Sequence, residues 1–411
     1  MSYQELIKPN TFIYNYINFC EDFNTPKIYD FWCAIFILSM ICNRQIKIDK
    51  PNDPLYPNFF ITLVGDDINI QKHLIINRTL NILDNILDYN KDKINIIDDK
   101  ISRKNLEGLL TQKALISKNT IIGVINTDIL VFYNSIGLLE LFSNLYSCPN
   151  ERKTNGSITN TNIDYHNIFI STLCGDNSEH YVKNFIKNIS EYSYIAKSIT
   201  IFSNKCKKRL AWGNEQTARE ELIKQGKTIK ENIAKHKGNA TLSAEAIRYY
   251  NEWYRRRKYL EINNENIKYF YNIESDLILK LALILNINNN FGIIVDKISL
   301  DDIKISIKII NLLKDSYRKF IDFSINKESN DKLEKMIQKL INFIHAVGNN
   351  GIRHRDLYNK MKYYCTIEEF NYIINTLHEL NCIDKFKDFN TSALYYRETD
   401  KLLDFDINLL K

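Results

Sequence analysis

The segment between residues 65 and 73 has some of the residue types of a phosphate-binding loop. An apolar, β-branched run at residues 59–64 predicts a buried strand before it, and a helical pattern follows at residues 74–87. Such a loop uses glycines to turn backbone N–H groups onto phosphates, a lysine to neutralise them, and a Ser or Thr to hold Mg²⁺. The candidate nucleotide-binding residues are Gly65, Lys72 and His73.

The remaining loop residues work against phosphate binding. Asp66 and Asp67 put negative charge where a phosphate would lie, and His73 stands where the hydroxyl ligand belongs. Lys72 can be interpreted as a phosphate ligand or as a surface lysine on the first turn of a helix, and we favour the surface lysine. His73 has no second His or Cys nearby in the sequence, so we assign it no ligand role.

Basic residues with aromatic neighbours form candidate DNA-binding patches. Such patches can follow a phosphate backbone and stack bases, but a solvated helix face has the same composition. Both interpretations stay open. The candidate DNA-binding residues are Lys207, Lys208 and Arg209 near Trp212, Arg255, Arg256 and Arg257 near Trp253, and Arg353, Arg355, Lys360, Lys385 and Lys387 in the C-terminal region.

Composition limits the class of protein. The 411 residues are 45% hydrophobic and 25% charged, which suits two or three globular domains, and the net charge of +6 permits a nucleic-acid partner. The eight cysteines show no metal-ligand spacing, so we expect reduced thiols, several of them buried, and no metal site. Without a signal peptide or an apolar run of the roughly 20 residues that cross a bilayer, we expect a cytoplasmic protein with no membrane partner.

Strands and helices alternate through the first half, which predicts an α/β sheet with helices on both faces. Before it, residues 11–44 predict two helices, and the second is apolar nearly all round and therefore buried. The predicted strands are residues 45–49, 59–64, 120–125, 166–173 and 198–202, and the predicted helices are residues 71–89, 102–115, 134–147 and 178–190.

The second half predicts mostly helices. Residues 213–238 lack an apolar face and predict a long exposed helix, and residues 241–322 predict an all-helical lid or collar. A polar hinge at residues 325–331 precedes residues 332–397, whose order of three helices and two strands predicts a winged helix. Its third helix, residues 366–380, is poor in Arg and Lys, so DNA binding and protein docking both stay open for this module.

Taken together, these features resemble one family, the helicase-like AAA+ proteins of phages, plasmids and integrated elements, which are often fused to or encoded beside primases. The resemblance covers roughly residues 28–400. Its most specific pieces are two runs at the expected distance before the loop, Phe31-Trp32-Cys33-Ala34 and Leu55-Tyr56-Pro57-Asn58. It implies an N-terminal helical segment at residues 1–50, a P-loop AAA+-like core at 51–212, a helical lid or collar at 213–325 and a winged helix at 332–400.

The resemblance also implies catalytic positions, and the chain departs from the family at each of them. The Walker A lysine maps to Lys72 in a loop one residue too long, the paired Walker B acids map to Thr127 and Asp128, and the trans-acting arginine maps to Lys197. The polar sensor maps to Thr172 or Asn177. Since an arginine finger alone raises the rate of phosphoryl transfer about 10³- to 10⁵-fold, we expect no ATP turnover. ATP with Mg²⁺ is therefore a doubtful cofactor.

Three functions follow from the resemblance. The first is a DNA-replication protein of a mobile genetic element, a DNA-binding ring or platform subunit that assembles with itself or with an active ATPase relative. The second is a non-catalytic interaction protein that docks a primase, polymerase or nuclease. The third is an ATP-driven DNA helicase with non-standard site residues.

Overall fold

The computed structural model forms two compact units, Met1–Phe320 and Ile321–Lys411, which we refer to as the large unit and the small unit. The structure describes residues 3–21, 23, 25–50, 54–65, 70–88, 94–116, 119–129, 132, 137–155, 162–183, 194–203, 215–236, 238–257, 265–293, 297–388 and 391–399.

The helices are α1 (Tyr3–Leu6), α2 (Phe12–Phe19), α3 (Lys27–Cys42), α4 (Lys72–Ile86), α5 (Arg103–Ile116), α6 (Leu138–Leu145), α7 (Ser178–Tyr181), α8 (Glu215–Lys235), α9 (Ala244–Arg256), α10 (Glu265–Asn289), α11 (Leu300–His345), α12 (His354–Met361) and α13 (Ile367–Glu379). The strands are β1 (Ile46–Ile48), β2 (Phe60–Val64), β3 (Ile94–Ile97), β4 (Thr120–Asn126), β5 (Glu151–Asn155), β6 (Asn162–His166), β7 (Ile168–Asp176), β8 (Ser198–Phe202), β9 (Gly238–Leu242), β10 (Lys297–Ile298), β11 (Ile352–Arg353), β12 (Ile383–Lys387) and β13 (Leu394–Glu398).

A five-stranded parallel sheet lies at the centre of the large unit. Its strand order is β3-β4-β7-β2-β8, so β2 pairs in parallel with β7 on one side and β8 on the other. Every residue of β2 and β7 is buried, as expected for strands of a parallel sheet that is covered on both faces. The prediction of an α/β fold is therefore confirmed.

Neighbouring residues of β7 show that both faces of this sheet are covered. The hydroxyl of Ser171 lies 2.7 Å from that of Ser39 on α3, while the hydroxyl of Thr172 lies 2.9 Å from that of Tyr194. Successive side chains of a strand point to opposite faces. The ring of Tyr194 also contacts Phe142 of α6, so α3 and α6 lie on opposite faces of the sheet.

A second parallel sheet, β1-β9-β10, corrects the prediction that residues 241–322 are helical throughout. Strand β9 pairs with β1 from Ile46↔Gly238 to Ile48↔Ala240 and with β10 from Lys297↔Thr241. These strands are two to five residues long, too short for a period-2 pattern to stand out. A polar antiparallel pair, β5 with β6, was also missed because it lacks apolar alternation.

The helix predicted at residues 213–238 is observed as α8, but the prediction that it is exposed and lacks an apolar face was wrong. Helix α8 buries Leu222, Ile229 and Ile233. A Cβ on Gly226 would lie 2.4 Å from the side chain of Ile86, so this glycine lets α8 approach α4 closely. These four residues recur at the spacing of one helix face, and the many charged residues between them hid that stripe.

The small unit combines helices with a three-stranded antiparallel sheet. The strand order is β11-β13-β12. The part of α11 that belongs to this unit packs with α12 and α13 around one apolar core. Helix α13 begins with a reciprocal capping box between Thr366 and Glu369. The predicted order of three helices and two strands is observed, with β11 as an additional short strand. Residues 325–331, predicted to be a hinge, belong to α11.

The cysteines and the apolar helices bear on two expectations from composition. The described cysteines, Cys20, Cys33, Cys42, Cys148, Cys174, Cys365 and Cys382, are all free and buried, and Cys206 lies outside the described residues. Within the described part of the chain, no helix is both long enough and apolar enough to cross a bilayer.

A buried polar cluster holds the residue that precedes β2. Asn58 donates from its amide to the carbonyls of Tyr146 (2.8 Å) and Ile170 (3.2 Å), and it accepts from the ammonium of Lys280 on α10 (2.7 Å). The ammonium of Lys280 also lies 3.9 Å from the ring centre of Tyr146. Asn58 therefore links the strand that carries the loop to both α10 and β7.

Because Lys280 is buried, desolvation lowers its pKa from 10.5 to about 8. The unfolded chain therefore binds more protons than the native protein between pH 8 and pH 10.5, so stability rises with pH in that window. We expect the free energy of unfolding of the wild type to rise by about 3 kcal/mol relative to Lys280→Met across it. Urea unfolding at a series of pH values measures this difference, and parallel curves for the two proteins would contradict it.

Candidate functional site

The predicted loop starts at the carboxyl edge of the central sheet, where β2 ends. Val64 pairs with Asp176 of β7 and Phe202 of β8, and the N–H of Gly65 donates to the carbonyl of Asp176 (3.3 Å). After β2 the chain continues to β3, the outer strand on one side of the sheet, whereas the last strand, β8, lies on the other side of β2. Ligands of open α/β sheets bind at the carboxyl ends of the strands, at the point where the strand order reverses. Residues 66–69 lie outside the described part of the chain.

Close packing explains the glycine at the start of the loop. A Cβ on Gly65 would lie 2.6 Å from the carbonyl oxygen of Ser203 and 2.9 Å from the hydroxyl of Tyr29. That hydroxyl donates to the carbonyl of Val64 (2.5 Å). Gly65 is therefore required where α3 and the ends of β2 and β8 meet, whether or not a phosphate binds there.

Lys72 is buried, which corrects its interpretation as a surface lysine. It is the first residue of α4 and only 3% exposed, and its ammonium donates to the carbonyl of Gly65 (2.5 Å). This hydrogen bond joins Lys72, near the end of the loop, to Gly65 at its start.

The Walker B positions follow β4 directly, at the same edge of the sheet. Thr127 and Asp128 are both exposed, and the N–H of Asp128 donates to the side chain of Asn126 (2.9 Å). A Cβ on Gly175 would lie 2.6 Å from the carbonyl oxygen of Thr127. The turn after β4 is thus pressed against the end of β7, and Asp128 extends toward solvent.

A buried carboxyl group that the sequence analysis missed lies beside the loop. Asp176 ends β7, is 3% exposed and pairs in register with Val64. The backbone carbonyl of Asp176 accepts from the N–H of Gly65, so this acidic residue ends the strand next to the loop. The available signal was an acidic residue that closes a long apolar run, since such a residue is buried only where it has a structural or chemical role.

The two sensor candidates lie at different depths in the sheet. Asn177 follows β7 at the carboxyl edge, and its side chain accepts from the N–H of Glu179 (2.9 Å) as the cap of α7. Thr172 lies inside β7, buried and paired in register with Phe60 at the start of β2. Asn177 is therefore the candidate that shares an edge with the loop.

Lys197 and His73 do not join a catalytic cluster. Lys197 precedes β8, at the amino end of that strand, and its ammonium donates to the carbonyl of Ser143 on α6 (2.9 Å). Partial burial lowers the pKa of Lys197. His73 is exposed on the first turn of α4. The sheet thus separates Lys197 from the loop.

The described residues do not fit a Mg²⁺–ATP site. The ammonium that would neutralise phosphate donates into its own loop, and no Ser or Thr follows Lys72. Mg²⁺ in P-loop proteins requires that hydroxyl together with an acidic residue. Among the described residues, no group of three His, Cys, Asp or Glu side chains could hold a metal ion.

The basic residues predicted in the large unit have separate surroundings. Lys207, Lys208 and Arg209 lie outside the described residues. Arg255 and Arg256 are exposed at the end of α9, where Arg256 pairs with Glu252 (3.5 Å). The side chain of Arg257 is only 13% exposed and lies 3.7 Å from the buried carboxylate of Glu274. Its charge is therefore paired inside the fold.

The basic residues predicted in the small unit are exposed but do not share one face. Arg353 pairs with Tyr395 across the small sheet, while Lys385 pairs with the adjacent residue, Tyr396. Adjacent strand residues point to opposite faces, so Arg353 and Lys385 lie on opposite faces. The exposed residues of this group are Arg353, Arg355, Lys360, Lys385 and Lys387.

Comparison with known proteins finds that no protein-family model and no curated protein matches this chain. The functional argument therefore depends on the order of the strands, the contacts at the carboxyl edge of the sheet, and the charged and aromatic residues of the two units.

We expect Lys72→Ala to destabilise the protein by about 1–3 kcal/mol, because it leaves the carbonyl of Gly65 without its buried donor. Urea unfolding of the full chain measures the loss. Lys227→Ala, an exposed lysine on α8, is the matched control and should change stability by less than about 0.5 kcal/mol. Equal effects of the two substitutions would show that the contact between Lys72 and Gly65 is dispensable.

Proposed function

We propose that this chain is a helicase-like DNA-replication protein of a mobile genetic element, related to the AAA+ class, which binds DNA and does not turn over ATP. In this proposal the large unit contains a P-loop-type core with its helical lid or collar, and the small unit is a winged helix. The strand order around the loop is the observation that carries the proposal.

That order supports an AAA+-type core. In the proposed assignment, β2 precedes the loop, β4 is the Walker B strand and β7 is the sensor strand. The order β3-β4-β7-β2-β8 places β2 between β7 and β8, with β4 next to β7, so the loop and the turns after β4 and β7 share the carboxyl edge of one parallel sheet. A loop at the reversal point of a parallel sheet is also where a phosphate would be bound in this class.

The contacts at the loop support the absence of ATP turnover. Phosphoryl transfer depends on a lysine, a metal ion and an arginine that neutralise the developing charge. Here Lys72 donates to Gly65, Asp128 is the one acidic residue of the Walker B pair, and Lys197 donates to Ser143. The two lysines have structural roles that do not require a nucleotide, and the Walker B pair lacks one acidic residue, so the third hypothesis, an active helicase, is the weakest.

The small unit supports the DNA-binding part of the proposal. Its three helices and antiparallel sheet are compatible with a winged helix, and its five predicted basic residues are all exposed. Exposed Lys and Arg side chains can neutralise phosphates without regard to base sequence. In the proposed role, the protein acts as a ring or platform subunit in the cytoplasm, together with further copies or an active ATPase relative and with a primase or polymerase.

We expect the full chain to bind DNA with an affinity that falls steeply as salt rises, because phosphate contacts release counterions. Replacing Arg355 and Lys360 with Ala should weaken binding to all sequences alike and lower the salt slope by about one for each lost phosphate contact. Fluorescence anisotropy with labelled duplex and single-stranded DNA measures both effects, with Lys227→Ala as the control. The absence of binding at low salt would contradict the proposal and favour the interaction protein.

A further inference from the structure

The turn between α12 and α13 displays two aromatic side chains on a rigid backbone. Tyr363 is 80% exposed and Tyr364 is 43% exposed. The residues on either side, Met361 and Cys365, are buried in the core of the small unit. The N–H groups of Tyr364 (2.8 Å) and Cys365 (3.1 Å) both donate to the carbonyl of Met361. The turn is therefore held in place while its tyrosines face outward.

Lysines lie beside both rings. The ammonium of Lys362 lies 5.3 Å from the ring centre of Tyr363, and the ammonium of Lys339 on α11 lies 3.2 Å from that of Tyr364. Further along α11, the ring centre of Phe343 lies 5.2 Å from the ammonium of Lys360 on α12. Residues 339 and 343 are four apart, so they occupy the same face of α11. The tyrosine turn and this face form one continuous surface, which we name the lysine–tyrosine surface and define as Lys339, Phe343, Lys360, Lys362, Tyr363 and Tyr364.

The charge of this surface differs from that of the neighbouring helix. The lysine–tyrosine surface contains three lysines, and one acidic residue, Asp356, lies one turn before Lys360 on α12. Helix α13, in contrast, has Glu368, Glu369 and Glu379, and its exposed Tyr372 lies one turn from Glu368. A polyanion would be attracted to the turn and repelled from the face of α13 around Tyr372.

The exposure of Tyr363 also argues against a packing role. A ring that leaves four-fifths of its surface in water contributes little to the stability of the fold. Exposed aromatic rings between lysines are how proteins bind single strands without sequence preference, because every base has a π-face that can stack and every phosphate can accept a lysine. Bases inside a duplex are already stacked on each other, so such rings distinguish single strands from duplexes.

We propose that the lysine–tyrosine surface binds single-stranded DNA, with bases stacked on Tyr363 and Tyr364 and phosphates paired with Lys339, Lys360 and Lys362. This inference rests on the proposed function, since it assumes that the chain binds DNA, and it assigns the single strand to a surface other than the predicted third helix of the winged module. The basic residues on the two faces of the small sheet have no role in this single-strand site and remain candidates for contacts with duplex DNA.

The test compares variants of the full chain by fluorescence anisotropy with a labelled oligothymidylate and with a labelled duplex of mixed sequence, at one fixed low salt concentration. Tyr363→Ala and Tyr364→Ala should each weaken single-strand binding by about fivefold to a hundredfold and leave duplex binding within about twofold. Tyr372→Ala is the matched control, an exposed tyrosine of the same unit in acidic surroundings, and it should bind like the wild type.

A second variant tests the stacking contact itself. Tyr363→Trp keeps an aromatic face at the same exposed position, so it should retain single-strand affinity. Bases that stack on the indole should quench its fluorescence when the oligothymidylate is added, beyond any change seen for the wild type. Retained affinity without quenching would contradict stacking at this position.

The outcomes separate this inference from the proposed function. A wild type that binds neither DNA contradicts both. If the wild type binds single strands and Tyr363→Ala and Tyr364→Ala bind them equally well, the lysine–tyrosine surface is not the single-strand site. That outcome leaves the proposed function standing and favours a protein partner at this surface. Equal losses for Tyr372→Ala, or equal losses on duplex, would also overturn it, because neither result is specific to stacking on this turn.

Discussion

The hydrogen bond from the ammonium of Lys72 to the carbonyl of Gly65 joins the start of α4 to the end of β2, and the carboxyl edge of the sheet is built around it. Tyr29 supports the same strand end through the carbonyl of Val64. Gly65 and Gly175 permit the close backbone contacts that complete this edge. Gly65 and Lys72, the candidate phosphate-binding residues, thus stabilise the chain itself, so neither residue needs a phosphate to account for its place in the fold.

Much of the central fold could be predicted from local pattern, and the errors have physical causes. The apolar run of α3 and the β-branched runs of β2, β4 and β8 specify buried elements whatever surrounds them. The burial of α8 depends on a sparse stripe, Leu222, Ile229 and Ile233, diluted by charged residues. The sheet of β1, β9 and β10 depends on pairing between residues far apart in the chain, which no local window contains.

The candidate site was less predictable than the fold, because it depends on where side chains turn. Lys72 and Asp176 are of residue types that usually lie at the surface, and both are buried, Asp176 in register with Val64 and Lys72 against the carbonyl of Gly65. The cations of the large unit show the same limit, since Arg257 and Lys314 both pair with the buried carboxylate of Glu274. A basic residue indicates a nucleic-acid contact only where it has no such internal partner. The predicted lysines of the small unit are exposed, whereas Arg257 pairs with a carboxylate inside the fold.

In the proposed role, this protein retains the frame of an AAA+ core and binds DNA without ATP turnover. The most direct test is the release of inorganic phosphate from Mg²⁺–ATP by the full chain in the presence of single-stranded DNA. We expect no release above that of Lys72→Ala, with or without DNA. Release that DNA stimulates and that Lys72→Ala abolishes would contradict it.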